Sequence, residues 1–500
     1  MRLDLSLRLF AFALALLLAG AAGASSLEPG WAQGPLTIRL PEGADLVIYG
    51  PRADSKIGHS LAVGDFNGDR QPDLVIGSVG CGPGACILWG REGLPREIDL
   101  ASFNQGLTVL KGFGASTLAP GDINGDGLRD LIIADTFAEG GAGAVYALLR
   151  GPELAQAQTA SFKIEEVADM IVYGVRPIRP FDIPGDSLGF AVAVGDVDGD
   201  SFDDLAMGAP FTMRLDRQEF QAGAVYLLFR RQEPPQCVDI VQGQQDLSIF
   251  AAKGSPDWMR VGDTLGQALA IADLNDDGVK DLIVRNPGPG EVLIFWGRGR
   301  EEWPRVIDLA QVEPDASLTG IEPSIAGGGM DLTAIHPGDF NGDGSLDLLV
   351  TQLGFSQPLL FFGPWLAGTR SAEEADGVIT GAKASSFFGY VSAVGNINGD
   401  GLADFLIGAP NERRVYGFLD RASWPARLDL AGEGLADLIL EGASPYDSIP
   451  LPPIEVPRTL ATQDLNGDGI DDILVGEPQG RGPEECFSAG RVYVVFGRRF

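Results

Sequence analysis

The sequence predicts an all-β fold, a seven-bladed β-propeller built from four-stranded antiparallel blades. Three observations predict it. A nine-residue acidic loop recurs seven times, at steps of 57, 74, 77, 66, 57 and 68 residues between first positions. Short apolar runs flank every copy in the same order. The copies together occupy nearly all of the 500 residues. Units that cannot bury an apolar face alone must stack on their neighbours, so such a period means one array rather than several domains.

The loop itself comes first, because the rest of each unit is arranged around it. Its fullest copy places Asp122, Asn124, Asp126 and Asp130 at positions 1, 3, 5 and 9. Calcium is a hard cation that takes about six to eight oxygens, and alternate spacing lets a tight loop curl around it. Position 7, Leu128, offers a backbone carbonyl, so its side chain is free to be apolar. Gly127 permits the positive φ of the curl. The other copies supply Asp65, Asn67, Asp69, Gln71 and Asp73; Asp196, Asp198, Asp200, Phe202 and Asp204; and Asp273, Asn275, Asp277, Val279 and Asp281. Three more supply Asp339, Asn341, Asp343, Ser345 and Asp347; Asn396, Asn398, Asp400, Leu402 and Asp404; and Asp464, Asn466, Asp468, Ile470 and Asp472. The expected cofactor is therefore Ca2+, up to seven ions, with one calcium loop in each blade (65–73, 122–130, 196–204, 273–281, 339–347, 396–404 and 464–472).

An EF-hand loop begins similarly but needs an acidic residue at position 12. Here that position is Ile76, Ile133, Met207, Val284, Val350, Ile407 and Val475, all apolar. Metal-free Asx turns are the bland alternative. Turns do not require carboxylates at positions 1, 5 and 9 together, since these repel without a cation. Site six, with Asn396, has one charge fewer. Sites one and three carry Arg70 and Ser201 where a glycine would ease the curl.

The runs around each loop are short, β-branched or aromatic, and separated by Gly, Pro and Asp, which reads as strand. In order they fall at 60–64, 74–77, 85–90 and 107–110; 117–121, 131–134, 144–149 and 169–173; 191–195, 205–208, 224–229 and 246–250. They continue at 268–272, 282–284, 292–297 and 317–319; 332–338, 348–350, 358–363 and 377–380; 391–395, 405–408, 414–419 and 437–440; and 459–463, 473–476 and 491–497. The seventh unit lacks a fourth strand. A spare one, residues 45–49, precedes the first unit and is expected to complete the last blade, removing an exposed sheet edge. Residues 25–44 read as an N-terminal lead with a short strand at 36–40, and 45–500 as the propeller.

Net charge is −33, and seven Ca2+ would bring it to −19, so much of the acidity has a local purpose. That balance argues against nucleic acid or an anionic membrane as partner. Residues 1–24 read as a secretory signal, with Arg2 and Arg8, an apolar run over 9–18 and Ala22-Gly23-Ala24. A secreted, extracytoplasmic monomer without a membrane span after signal cleavage is expected. Cys81 and Cys86 share one turn and suit a local disulfide; for Cys237 and Cys486 a second bridge and buried thiols both stay open.

Gly185-Asp186-Ser187-Leu188-Gly189 spells a nucleophile elbow. An elbow needs a strand before the serine and a helix after it, whereas a strand follows here. Gly262-Asp263-Thr264-Leu265-Gly266 repeats the pattern in the next unit, so it is repeat grammar. His59 and His336 are the two histidines, and neither has a legible acidic partner; no catalytic residue is assigned.

Phe388-Gly389 with Gly408-Ala409-Pro410, and Leu188-Gly189 with Gly208-Ala209-Pro210, resemble the FG-GAP repeats of the integrin α-subunit propeller. Weaker forms occur at Ile57-Gly58, Phe113-Gly114, Leu265-Gly266 and Gly476-Glu477-Pro478, and the similarity covers 45–500. The resemblance implies calcium in some blades and a protein or glycan ligand on one face. Secreted bacterial proteins with similar repeats are plausible closer relatives.

Three functions follow. The first is a calcium-binding adhesion or ligand-binding module without catalysis. The second is a propeller lectin, for which Trp89 and Trp296 occupy equivalent strands without recurring elsewhere. The third is a propeller-fold hydrolase or lyase. Strand alternation puts the long segments 174–187, 209–221, 251–264, 320–331 and 442–458 on the face opposite the calcium loops. Their candidate ligand residues are Arg176, Arg179, Phe211, Arg214, Trp258, Arg260 and Tyr446, types that dominate binding hot spots.

Overall fold

The computed structural model describes residues 35–499 apart from 80–82, 92, 104, 150, 157–159, 177–184, 215–216, 218, 232, 256–261, 323–332, 352–356, 382, 384–385, 432–435, 443–459 and 483–487. Seven sheets follow one another around a ring. The first strands of successive blades pack side by side, and the first strand of the seventh returns to that of the first. This is the seven-bladed, all-β propeller the repeats demand.

In blade one Ile57–Gly64, Asp73–Ser78, Ala85–Leu88 and Leu107–Lys111 pair antiparallel in that order. The second strand is buried on both faces in every blade, which is why it reads as an unbroken apolar run. The four expected strands are present in each blade, and a fifth extends it. Ser161–Lys163, Cys237–Asp239, Val306–Asp308, Gly368–Ser371 and Arg427–Asp429 pair parallel with the fourth strands of blades one to five. Glu97–Asp99 does the same for blade seven and Leu36–Arg39 for blade six. Four of these edge strands bury only their central residue, Ile98, Val238, Ile307 and Leu428, between exposed or half-buried neighbours. That pattern is too short to stand out as an apolar run.

Closure follows the expected scheme. Leu46–Tyr49 pairs antiparallel with Arg491–Val495, in the register Leu46↔Val494 to Tyr49↔Arg491. The preceding lead is also stitched to the ring, through Leu36–Arg39 alongside Leu438–Glu441. Residues from the two ends of the chain therefore share two blades.

The Phe-Gly and Gly-Ala-Pro elements mark a close contact between blades. A Cβ at Gly208 would lie 2.0 Å from the Gly266 carbonyl oxygen, and one at Gly476 would lie 2.0 Å from that of Gly58. Only glycine lets the turn of one blade approach the second strand of its neighbour so closely. The same turn is anchored within its own blade, where Gly189 and Gly389 donate N–H to the carbonyls of Gly208 and Gly408 at 2.9 and 3.1 Å. Large side chains fill the remaining gaps: Phe405 stacks on Phe418 and on Trp424 at ring separations of 5.0 and 5.2 Å.

Cys86 stands free and buried in its strand, and burial pushes its thiol up to about 12. The local bridge to Cys81 is therefore not formed. Cys81 and Cys486 lie outside the described residues, and Cys237 is exposed and free. Among the described residues no helix is long and apolar enough to cross a membrane.

Candidate metal loops and the opposite loop face

Each acidic loop joins the first and second strands of its blade and is held by one repeated hydrogen-bond pattern. The position-5 N–H donates to the position-3 oxygen in all seven, at 2.8 to 3.2 Å. The position-7 N–H donates to the position-5 carboxylate in all seven, at 2.8 to 3.0 Å. The position-2 N–H donates to the position-9 carboxylate, as Phe66 does to Asp73 at 2.9 Å. Position 2 is an apolar anchor in every copy (Phe66, Ile123, Val197, Leu274, Phe340, Ile397, Leu465), and each is buried. Position 2 holds no ligand oxygen on its side chain, and its apolar character is plain in the sequence.

The position-9 carboxylates are the buried members: Asp73, Asp130, Asp204, Asp281, Asp347, Asp404 and Asp472 are all at most 1% exposed. Burial pushes Asp130 up to about 8 and Asp73, Asp204, Asp404 and Asp472 to about 7. It lifts Asp281 and Asp347 to about 6. Neighbouring loop carboxylates add to the effect, Asp122 and Asp126 on Asp130 for example. The donor set thus concentrates negative charge around one point. In the third loop the ligand oxygens of Asp196, Asp198 and Asp204 lie within 4.8 Å of one another. Two oxygens on one calcium ion are at most about 5 Å apart, given Ca–O distances of about 2.3–2.6 Å. The all-oxygen chemistry and this convergence fit a hard divalent cation.

Positive φ at position 6 is universal in the loops: five are glycine, and Arg70 and Ser201 take φ of 69° and 71°. The fourth loop has a further departure, Asp276 at position 4 with φ 57°, where the other six have glycine. Site six departs in its bonding. Elsewhere the position-6 N–H donates to the second position-1 oxygen, as Gly127 does to Asp122 at 2.8 Å. Asn396 has an amide nitrogen there instead, and accepts only from Gly399 and Asp400, at 2.8 and 3.1 Å. Asn396→Asp should therefore lower the melting midpoint in chelator, by adding an unbalanced charge, and raise it in calcium. A parallel Ser201→Gly variant should gain about 1 kcal/mol in both conditions by relieving the left-handed backbone. Thermal melts of each variant with and without calcium check both signs.

Neighbouring loops touch. The Lys280 N–H donates to the Asp196 carbonyl at 3.1 Å, Ala403 to Asp339 at 3.1 Å and Asp471 to Asn396 at 2.9 Å. The position-7 side chain, left free by its role in the loop to be apolar, has a packing partner: a Cβ at Gly68 would lie 2.9 Å from Leu128, at Gly125 2.7 Å from Phe202 and at Gly399 2.8 Å from Ile470. Each apolar position-7 residue thus packs on the position-4 glycine of the preceding loop.

At the other end, the second-to-third and blade-to-blade connections meet, as Phe220↔Ser255 and Gly223↔Leu265 bridges show in blade three. Of the residues expected to be exposed there, Arg176 is so, and its guanidinium pairs with Glu139 at 3.1 Å. Phe211 is half-buried, edge-on to Phe190 at 6.3 Å. Arg214 is a correction: it is buried, grips both Asp308 oxygens at 3.3 and 3.1 Å, and lies 5.0 Å over the Phe250 ring. A guanidinium so engaged holds the edge strand to the blade and is not offered to a ligand. Arg179, Trp258, Arg260 and Tyr446 lie outside the described residues.

Ser187 sits buried at φ 53° with the strand Val192–Gly195 following, which is not the geometry of a nucleophile elbow. His336 Nε2 lies 2.8 Å from Ser392 Oγ, which also contacts Thr351 Oγ1 at 3.2 Å, a polar seam between blades five and six. His59 is buried. Trp89 is buried and gives its indole N–H to Thr108 Oγ1 at 2.9 Å, which removes it from a sugar-stacking role.

Comparison with known proteins agrees with this geometry. The FG-GAP repeat matches residues 57–82, 114–148, 188–228, 388–418 and 456–495, and an FG-GAP-like repeat matches 273–350. Integrin alpha-5 of Xenopus laevis is 31% identical over 255 residues, 49% of this chain and 21% of that protein. Integrin alpha-7 of Rattus norvegicus is 28% identical over 258 residues, 48% of this chain and 20% of that protein. A phosphatidylinositol-glycan-specific phospholipase D of Homo sapiens is 31% identical over 132 residues, 24% of this chain and 15% of that protein. The matched region spans about a fifth of the length of the integrin relatives.

Proposed function

We propose, from a chain that belongs to the FG-GAP repeat family and folds as an integrin-α-like propeller, that this protein is a secreted, calcium-stabilised adhesion or ligand-binding module without catalysis. The observation that carries the reading is the sevenfold loop with one bonding pattern, its carboxylates converging in the third copy, on a propeller like those of adhesion receptors. Calcium would be held by the position-1, -3, -5 and -9 side chains and a position-7 carbonyl, and would neutralise the buried carboxylates. Residues 1–24 would direct export. The calcium loops would then be the scaffold, and the longer connections at the opposite end would meet a protein or glycan.

Rigid sheets presenting irregular loops are the usual arrangement for recognition. The immobilised chain, presented with a panel of extracellular proteins and glycans, should show calcium-dependent binding. The double variant Trp258→Ala, Arg260→Ala should abolish that binding and leave the calcium-dependent melt unchanged. Binding that follows substitutions beside the calcium loops instead would place the ligand on the other end.

A further inference from the structure

At five blade junctions the acidic loops close on one another, an apolar position-7 side chain lying on the preceding position-4 glycine: Leu128, Phe202, Val279, Leu402 and Ile470. Two junctions differ: between blades four and five the pair is Ser345 and Asp276, and the junction of blades seven and one opens a space. Its position-7 residue is Gln71, exposed, and a Cβ at Gly467 would meet nothing nearer than Pro72 Cδ at 3.8 Å. Position 6 is Arg70, held at φ 69° where five loops use glycine. A non-glycine residue kept in a left-handed conformation points to a role for its side chain.

A cavity of about 450 Å³ opens at this junction. Its lining brings together Arg70 and Arg91, the amide of Gln71 and the half-buried Leu94, beside Asn466, whose amide is engaged inside its own loop by the Asp468 N–H at 2.9 Å and by Asp472 at 3.3 Å. The Arg91 guanidinium is oriented by the Phe103 ring, 5.0 Å away, and by Gln105 Oε1 at 3.5 Å. Among the described residues neither Arg70 nor Arg91 has an ion-pair partner. Asp45, the acid among the described lining residues, is already engaged by the Phe496 N–H at 2.9 Å and Arg498 at 3.4 Å. In a chain with 69 acidic and 36 basic residues, two guanidiniums that line one cavity with no carboxylate partner among the described residues are a departure.

We propose that this cleft binds a carboxylate-bearing saccharide, a uronate unit of an acidic glycan. Guanidinium forks pair bidentately with carboxylates. The exposed Gln71 amide is able both to donate to and to accept from sugar hydroxyls, and the half-buried Leu94 offers an apolar surface to one face of a pyranose ring. The volume is that of an organic-ligand pocket, about 300–1,000 Å³, and far exceeds a bare inorganic anion. The site lies at the loop end of the ring and is separate from the face assigned above to adhesion.

The test is titration of the full chain, in fixed excess calcium, with digalacturonate and with the neutral digalactose. Digalacturonate should bind saturably, with digalactose at least about tenfold weaker, the scale of a lost charge-assisted bond. Arg70→Gly should weaken digalacturonate at least about tenfold while the melting midpoint stays level or rises, because glycine relaxes the backbone there. Arg91→Lys keeps the charge and loses the fork, and should weaken binding as well. The proposal is overturned if Arg70→Gly binds as the parent does, if digalactose binds equally, or if an aspartate-rich peptide binds in the cleft and digalacturonate does not. The Trp258→Ala, Arg260→Ala variant should bind digalacturonate normally, so the two readings fail separately.

Discussion

A chain lacking residues 25–50 should aggregate or lose most of its thermal stability. The deletion removes the strand Leu46–Tyr49, the fourth of blade seven, together with Leu36–Arg39, the edge of blade six. Leu46, Val47 and Ile48 are buried to 3%, 2% and 0% exposure between the last blade and its neighbours. Burying such side chains is worth about 1.5–3 kcal/mol each, and their sum approaches the net stability of a whole domain, about 5–15 kcal/mol. The loss would also bare the Arg491–Val495 strand as an unpaired edge, a template for aggregation. Point variants separate the two strands. Ile48→Asp puts a charge in the core and should be nearly as damaging as the deletion. Leu36→Asp alters a residue 41% exposed at an outer edge and should be mild. Size exclusion with a thermal melt reads both, and a soluble monomeric deletion variant with an unchanged midpoint would falsify the closure scheme.

The ring and its closure were legible because they rest on patterns longer than one element. The spacing of Asp65, Asp122 and their successors defines the blade count, and the missing fourth run after residue 497 called for a partner such as residues 45–49. The parallel edge strands were not legible, because Ile98 or Leu428 alone between polar neighbours carries no periodicity. The apolar preference at position 7 was visible, but its cause was not: Leu128 and Ile470 pack on glycines in other blades, a contact made by the ring rather than by local sequence. Arg214 shows the converse limit. Its residue type and loop location suggested a ligand contact, yet Asp308, far along the chain, claims it. The cleft at Arg70 was noted only as a strained turn; its meaning needed the last blade beside the first.

The second large effect is expected from the cation. The midpoint should fall steeply when calcium is replaced by excess chelator. Extracellular loops of this type bind with Kd of about 10⁻⁴–10⁻³ M. At about 2 mM calcium each occupied site then adds about 0.7–1.8 kcal/mol through linkage. Seven sites give about 5–13 kcal/mol, comparable to the net stability of a domain. The structure supplies the reason for a large apo penalty: carboxylates such as Asp130 and Asp204 are buried, and the neighbouring loop acids act to oppose their ionisation. Adjacent loops are tied through Lys280 to Asp196, Ala403 to Asp339 and Asp471 to Asn396. Melting at intermediate calcium should consequently remain one cooperative step whose midpoint climbs with concentration, rather than a staircase of separately melting blades. Scanning calorimetry across a calcium series measures both features, and equal midpoints in chelator and in calcium would sink the reading.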